Sequence, residues 1–220
     1  MSSRTSRTGA RRRAALLAVL VAGLGSGLAG GVDRATAVPA PNTIGIYTNA
    51  TDFVPWCDPV LFTPFEVTFL LASPRTAAGD PVAFVDGFEY KVRVEPAGGV
   101  LRLADNLPAL WTNLGDASSL DGAVYRMSGS EPLPVTADVL ALHTWQLVRV
   151  NTDPHYFHLQ PVDPPTIAGA LAFSWPDGAE STPVAAQPSS GDPQSPVFAF
   201  TYRCPVDCLS FGAVKALFRR

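Results

Sequence analysis

Twenty-one prolines, the first of them Pro39, cut this 220-residue chain into short pieces. Proline lacks a backbone donor and is excluded from helix interiors, so little room is left for a long apolar-periodic helix. The pieces between are strand-like. Phe88, Tyr90, Val92 and Val94 alternate with Glu89, Lys91, Arg93 and Glu95, the period-two pattern of a strand with one buried and one wet face. Phe65 to Leu71 reads the same way, closed by Pro74 and Gly79-Asp80-Pro81.

Further strands are expected at 44–48, 100–103, 124–127, 139–150, 156–159, 170–175 and 197–202. Asp86-Gly87, Asp121-Gly122, Asp177-Gly178 and Gly98-Gly99 supply turn chemistry between them. Seven to nine short strands punctuated by turns predict an all-β fold, an antiparallel β-sandwich of the immunoglobulin-like or cohesin-like kind. Residues 106–119, which hold Trp111, lack alternation and read as a long loop or short irregular helix. Residues 176–196, rich in Pro, Ser, Gly, Ala and Gln, read as a mobile surface connection. Phe211, Val214, Leu217 and Phe218 follow one helical stripe with Ser210 as cap, which predicts a short C-terminal helix.

The N-terminus carries a different message. Five arginines by Arg13, an uncharged run from Ala14 to Val32 and then Ala35-Thr36-Ala37 form the order of a secretory signal peptide. The domains are therefore expected to be a signal peptide over 1–37 and a single β-sandwich with its C-terminal extension over 38–220. The expected location is secreted or periplasmic, with no membrane span after cleavage. The leader holds six of the 16 basic and one of the 19 acidic side chains, leaving ten basic, eighteen acidic and a net charge of −8. Such a surface repels phosphate backbones, which excludes nucleic acid as the expected partner.

Three cysteines remain in an exported chain. Cys57 follows the first expected strand and Cys204 the last, so a Cys57 to Cys204 disulfide would close most of the domain into one loop. Its rival is the small ring Cys204 to Cys208. A zinc site lacks any Cys-x-x-Cys knuckle, and His155 and His158 point to opposite faces of a strand, so no metal or other cofactor is expected. No Gly-x-Ser-x-Gly, His-Glu-x-x-His or phosphate-cradling loop occurs, and no catalytic residue is assigned. Trp111, Tyr156 and Trp175 are the ligand-surface candidates, weighed against the commoner role of tryptophan in a sandwich core.

Ile44-Gly45-Ile46-Tyr47, Cys57, Phe65 to Pro74, Val85-Asp86-Gly87-Phe88-Glu89, Cys204-Pro205-Val206 and Gly212 to Leu217 together resemble a group of secreted bacterial β-sandwich proteins of unassigned role. More distantly, the strand, turn and Gly-Phe-Glu pattern is similar to cohesin-type and carbohydrate-binding modules. The chain has no dockerin-like calcium repeat and departs from a compact cohesin after Val162, so neither dockerin nor sugar binding follows from the resemblance. The expected function is an exported, non-catalytic binding or structural module whose partner is an extracellular protein or a polysaccharide. An extracellular hydrolase with dispersed catalytic residues is the alternative.

Overall fold

The structure, a computed structural model, describes residues 39–48 and 51–201. The leader, the expected C-terminal helix, Cys204 and Cys208 lie outside the described residues. Twelve strands follow in chain order: β1 (Thr43–Tyr47), β2 (Trp56–Cys57), β3 (Phe65–Ala72), β4 (Phe84–Glu95), β5 (Val100–Asn106) and β6 (Trp111–Asn113), then β7 (Val124–Pro134), β8 (Val139–Arg149), β9 (His155–Gln160), β10 (Leu171–Asp177), β11 (Glu180–Pro188) and β12 (Phe198–Phe200). Among the described residues there is no helix long and apolar enough to cross a membrane.

One sheet runs β1-β3-β8-β5, and the other is built around β4. On one edge β4 pairs with β10 through Gly87–Glu89 and with β9 through Lys91–Glu95; β7 lies along its other edge and carries β6. Between the sheets sit Ile44, Ile46, Val67, Phe69, Tyr90, Val92, Tyr125, Trp145, Leu147, Phe157 and Phe173, all buried. The alternation of β4 is realised as expected: Phe88, Tyr90, Val92 and Val94 face the core while Lys91, Arg93 and Glu95 lie on the outer side.

The expected all-β sandwich is found, with one refinement and two corrections. The pairing is antiparallel except at two places, where β1 runs parallel to β11 and β2 parallel to β12. Residues 106–119 include β6, which pairs with β7, and Trp111 is 7% exposed, stacked on Phe88. Residues 176–196 include β11, joined to β10 by a two-residue hairpin with Gly178 at φ 68°, the left-handed conformation such a hairpin needs at its first position. Val184, Ala186 and Pro188 of β11 are buried in alternation with exposed Pro183, Ala185 and Gln187. Alanine and proline carry this period-two pattern too faintly for composition to reveal a strand.

Candidate functional site

Two β-bulges gather polar side chains inside the sandwich. In the β3–β8 pairing, Phe69 stands opposite His143 and Leu70 opposite Ala141, so Leu142 is the extra residue and both Leu142 and His143 are buried. In β5 the pairing steps from Arg102 opposite Leu147 to Ala104 opposite Gln146, which turns Leu103 outward. Residues three apart on a regular strand face opposite sides. The bulge removes that constraint, and Arg102 and Asp105 both reach the interior.

There His143 Nδ1 lies 2.8 Å from Asp105 Oδ1, and its Nε2 contacts the Tyr90 hydroxyl. Tyr125 donates its O–H to Asp105 Oδ2 and accepts from Trp145 Nε1 at 2.7 Å and from Arg102 Nη1 at 3.0 Å. The Arg102 guanidinium covers the Trp145 ring at 5.1 Å and donates to the Ala117 carbonyl. Acceptor-only Asp105 fixes the proton of neutral His143 on Nδ1, which leaves Nε2 to accept from Tyr90. Burial, more than the opposing bond to Asp105, holds His143 below the ordinary imidazole range. Burial alone would raise Asp105, but the bonds from His143 and Tyr125 and the nearby Arg102 charge bring its carboxyl below the usual value. Tyr90 is pushed well above the ordinary phenol range, first by burial and then by Tyr125 and Asp105.

The geometry is that of a carboxylate–imidazole–hydroxyl relay, yet the His143 side chain is 0% exposed and stacks on Phe69 with ring centroids 4.2 Å apart. Every hydrogen-bonding atom of the imidazole is taken by a core neighbour. The cluster ties strands together, and its imidazole offers no atom to a substrate. His155 is buried too, between the Pro96 carbonyl at 3.2 Å and Asn151 Oδ1 at 2.8 Å. His158 has Nε2 3.5 Å from Glu95 Oε2, and neither residue lines a hollow. Among the described residues no group of three or more His, Cys, Asp and Glu is placed to hold a metal ion.

The three aromatic candidates do not converge. Trp111 is in the core, donating its indole N–H to the Glu131 carbonyl at 3.0 Å, so it is corrected from surface to core. Trp175 is partly buried against the core on β10, and Tyr156 stands 38% exposed on the outer side of β9. Cys57 lies opposite Phe200 in the β2–β12 pairing.

What the surface does offer is a furrow of about 210 Å³ on the outer face of the β4 sheet. Register builds its floor: Ser128, Gly87, Ser174 and Pro183 form one row across β7, β4, β10 and β11, and Arg126, Glu89 and Ala172 form the next. Leu114, 74% exposed, and Thr166 stand at its sides. A Cβ at Gly87 would lie 2.5 Å from Ser174 Oγ and 3.1 Å from the Met127 carbonyl oxygen, so only glycine leaves room for Ser174, which donates to Asp86 Oδ1 at 2.7 Å. Glu89 is buried because Thr166 covers it, donating its N–H at 2.6 Å and its hydroxyl at 2.8 Å. Arg126 donates to the Pro164 carbonyl, its Nε makes no hydrogen bond, and the exposed Ser128 hydroxyl has no partner among the described residues. A second hollow, of about 380 Å³, is lined by Tyr47, Phe53, Ser189, Val197 and prolines, and contains no charged side chain. Sequence reasoning missed the furrow because its members come from six separate segments, and Gly87, Phe88 and Glu89 stood out only as turn and strand residues.

These features define an all-β sandwich with a polar cluster around a buried histidine and a charged outer furrow. Among solved structures, the chain is similar to a cohesin module from a Clostridium perfringens ATCC13124 family 33 glycoside hydrolase. That likeness has a TM-score of 0.41 and 10% identity, and covers 66% of this chain and 96% of the module. No family model and no curated relative matches the chain.

Proposed function

We propose that the chain is an exported, non-catalytic binding module that engages an extracellular partner through the outer face of β4, β7 and β10. The observation that carries this reading is the contrast between two places. The imidazole of the His143–Asp105 pair is closed off in the core with both of its nitrogens occupied. The furrow, by contrast, presents the exposed Ser128 hydroxyl beside Arg126, whose Nε has no hydrogen-bond partner, on a sheet in which β4 is paired on both sides. Sites of this build suit recognition, since small-molecule sites combine a pre-formed apolar surface with a few placed polar groups. One carboxylate lines the furrow, Glu89, and Thr166 binds both of its oxygens, so the furrow lining does not supply the two carboxyl groups that glycoside hydrolysis ordinarily uses.

The test uses the immobilised full chain and a Ser128→Phe variant, exposed in parallel to a pool of secreted proteins and to purified cell-wall polysaccharide. Retention of either pool by the wild type, lost in the variant and without turnover of the bound material, is expected. Equal retention by both, or none, overturns the reading.

A further inference from the structure

We propose that the furrow is a subsite for a single neutral pyranose unit of a glycan, bound by Arg126, Glu89 and Ser128 beside Ser174. The inference rests on the binding-module reading and names the ligand class for the same face.

Size sets the first limit. A volume of about 210 Å³ is below the ~300–1,000 Å³ of clefts for drug-sized ligands and corresponds to roughly seven waters at ~30 Å³ each. One saturated six-membered ring with its hydroxyls is of that size; a folded peptide segment is not.

The second limit comes from the sheet. An extended peptide gains affinity by adding its backbone to a free strand edge. The furrow floor is the middle of a sheet, where β4 is hydrogen-bonded to β10 on one side and β7 on the other through Gly87, Phe88 and Glu89. Its backbone donors and acceptors are spent, so recognition here falls to side chains.

Charge sets the third. One guanidinium and one carboxylate, Arg126 and Glu89, occupy directly opposite positions across β4 and β7, and the furrow as a whole is neutral. With a surrounding domain of net charge −8 over residues 38–220, anionic ligands are repelled rather than steered in. What the lining offers is a mixed set: Arg126, whose Nε is buried without a hydrogen-bond partner, the exposed hydroxyl of Ser128, and the buried Glu89 carboxylate, which already accepts two bonds of the roughly four it can take. Vicinal hydroxyls, each both donor and acceptor, satisfy such a set, and Ala172, Leu114 and Pro183 offer apolar contact to the C–H side of the ring.

The full chain is titrated with cellohexaose, mannohexaose, xylohexaose and chitohexaose while backbone amides are followed by NMR. Saturable shifts at Gly87, Ser128 and Ser174 with at least one of these oligosaccharides are expected. Ser128→Ala should weaken binding by about tenfold, as for the loss of a hydrogen bond worth roughly 1.4 kcal/mol, and Ser128→Phe should abolish it. Both variants should keep the wild-type melting temperature, because Ser128 is exposed and unbonded. Silence with all four oligosaccharides, shifts confined to another face, or unchanged binding by Ser128→Phe overturns the inference. If the oligosaccharides are silent while Ser128→Phe still loses a retained partner, the pyranose assignment alone fails. If retention is also unaffected, the binding-module reading falls with it.

Discussion

His143 Nδ1 donates to Asp105 Oδ1 at 2.8 Å, and the two residues reach one another from adjacent strands in which bulges have displaced the ordinary alternation. β5 is an edge strand with Leu101 and Leu103 each 53% exposed. Exposed apolar edges invite unwanted pairing, and inward-pointing charged residues are one of the devices that pin them. Arg102 and Asp105 serve as such pins. Through Tyr125 and, by way of His143, Tyr90, they fasten the edge strand to the opposite sheet as well as to β8.

This cluster makes stability sensitive to acid. His143 is held below its ordinary value, so the unfolded chain binds a proton first as pH falls from about 6.5, and stability declines from there down to the depressed folded value. Asp105, also held low, adds a second loss as pH falls from the ordinary aspartate value of 3.8. The melting temperature should therefore drop between pH 7 and 5 and fall further below pH 4. His143→Gln should cost about 1–3 kcal/mol at pH 7 by leaving buried partners unsatisfied, and should shrink the upper step, the remainder belonging to His155, which burial also holds below the ordinary imidazole range. An upper step of unchanged size in that variant would assign it elsewhere.

The β4 alternation yields a sharper contrast. Tyr90 and Val92 are fully buried and Lys91 between them is on the outer side. Tyr90→Asp or Val92→Asp should unfold the domain, since burying an unpaired carboxylate costs several kcal/mol against a total stability of ~5–15 kcal/mol. Lys91→Glu should melt within a few degrees of wild type. Thermal melts of the three variants provide the measurement.

The same strand explains how much of the fold was legible. Large alternating side chains expose a strand to simple inspection, as in β4, β3 and β8. In β11 the inward positions are Val184, Ala186 and Pro188, two of them too small or too turn-like to stand out. The polar cluster was illegible for a different reason. His143 and Asp105 are 38 residues apart, and the bulges that bring them together leave no local mark in a sequence, because a bulge is set by pairing with another strand. The furrow shares that difficulty, being assembled by register across four strands.

The leader carries its own prediction. With the basic, apolar and small-residue regions ending at Ala37, protein recovered outside the cytoplasm should begin near Val38. N-terminal sequencing of that material is the check, and an intact Met1 on membrane-bound protein would reject cleavage.

The last prediction concerns Cys57. In the β2–β12 pairing, Phe200 lies opposite Cys57, and the Thr201 N–H donates to the Cys57 carbonyl at 3.4 Å. From Thr201 to Cys204 the chain can span at most about 10 Å, and a disulfide asks for Cα atoms about 4.4–6.8 Å apart, so Cys204 is within reach. We propose the Cys57–Cys204 bridge with Cys208 as the odd thiol. A bridge across most of the domain would contribute on the order of 4–5 kcal/mol by loop closure. Burial, with Asp58 nearby, pushes the Cys57 thiol up to about 12, so the reduced form would stay protonated and slow to react at neutral pH. A non-reducing peptide map should join the Cys57 peptide to the Cys204 peptide, and alkylation of the untreated protein should label Cys208. Cys57→Ser should then lower the melting temperature far more than Cys208→Ser. A map joining Cys204 to Cys208, with Cys57→Ser melting no lower than Cys208→Ser, would make Cys57 the odd thiol and leave the β2–β12 pairing held by backbone hydrogen bonds and packing alone.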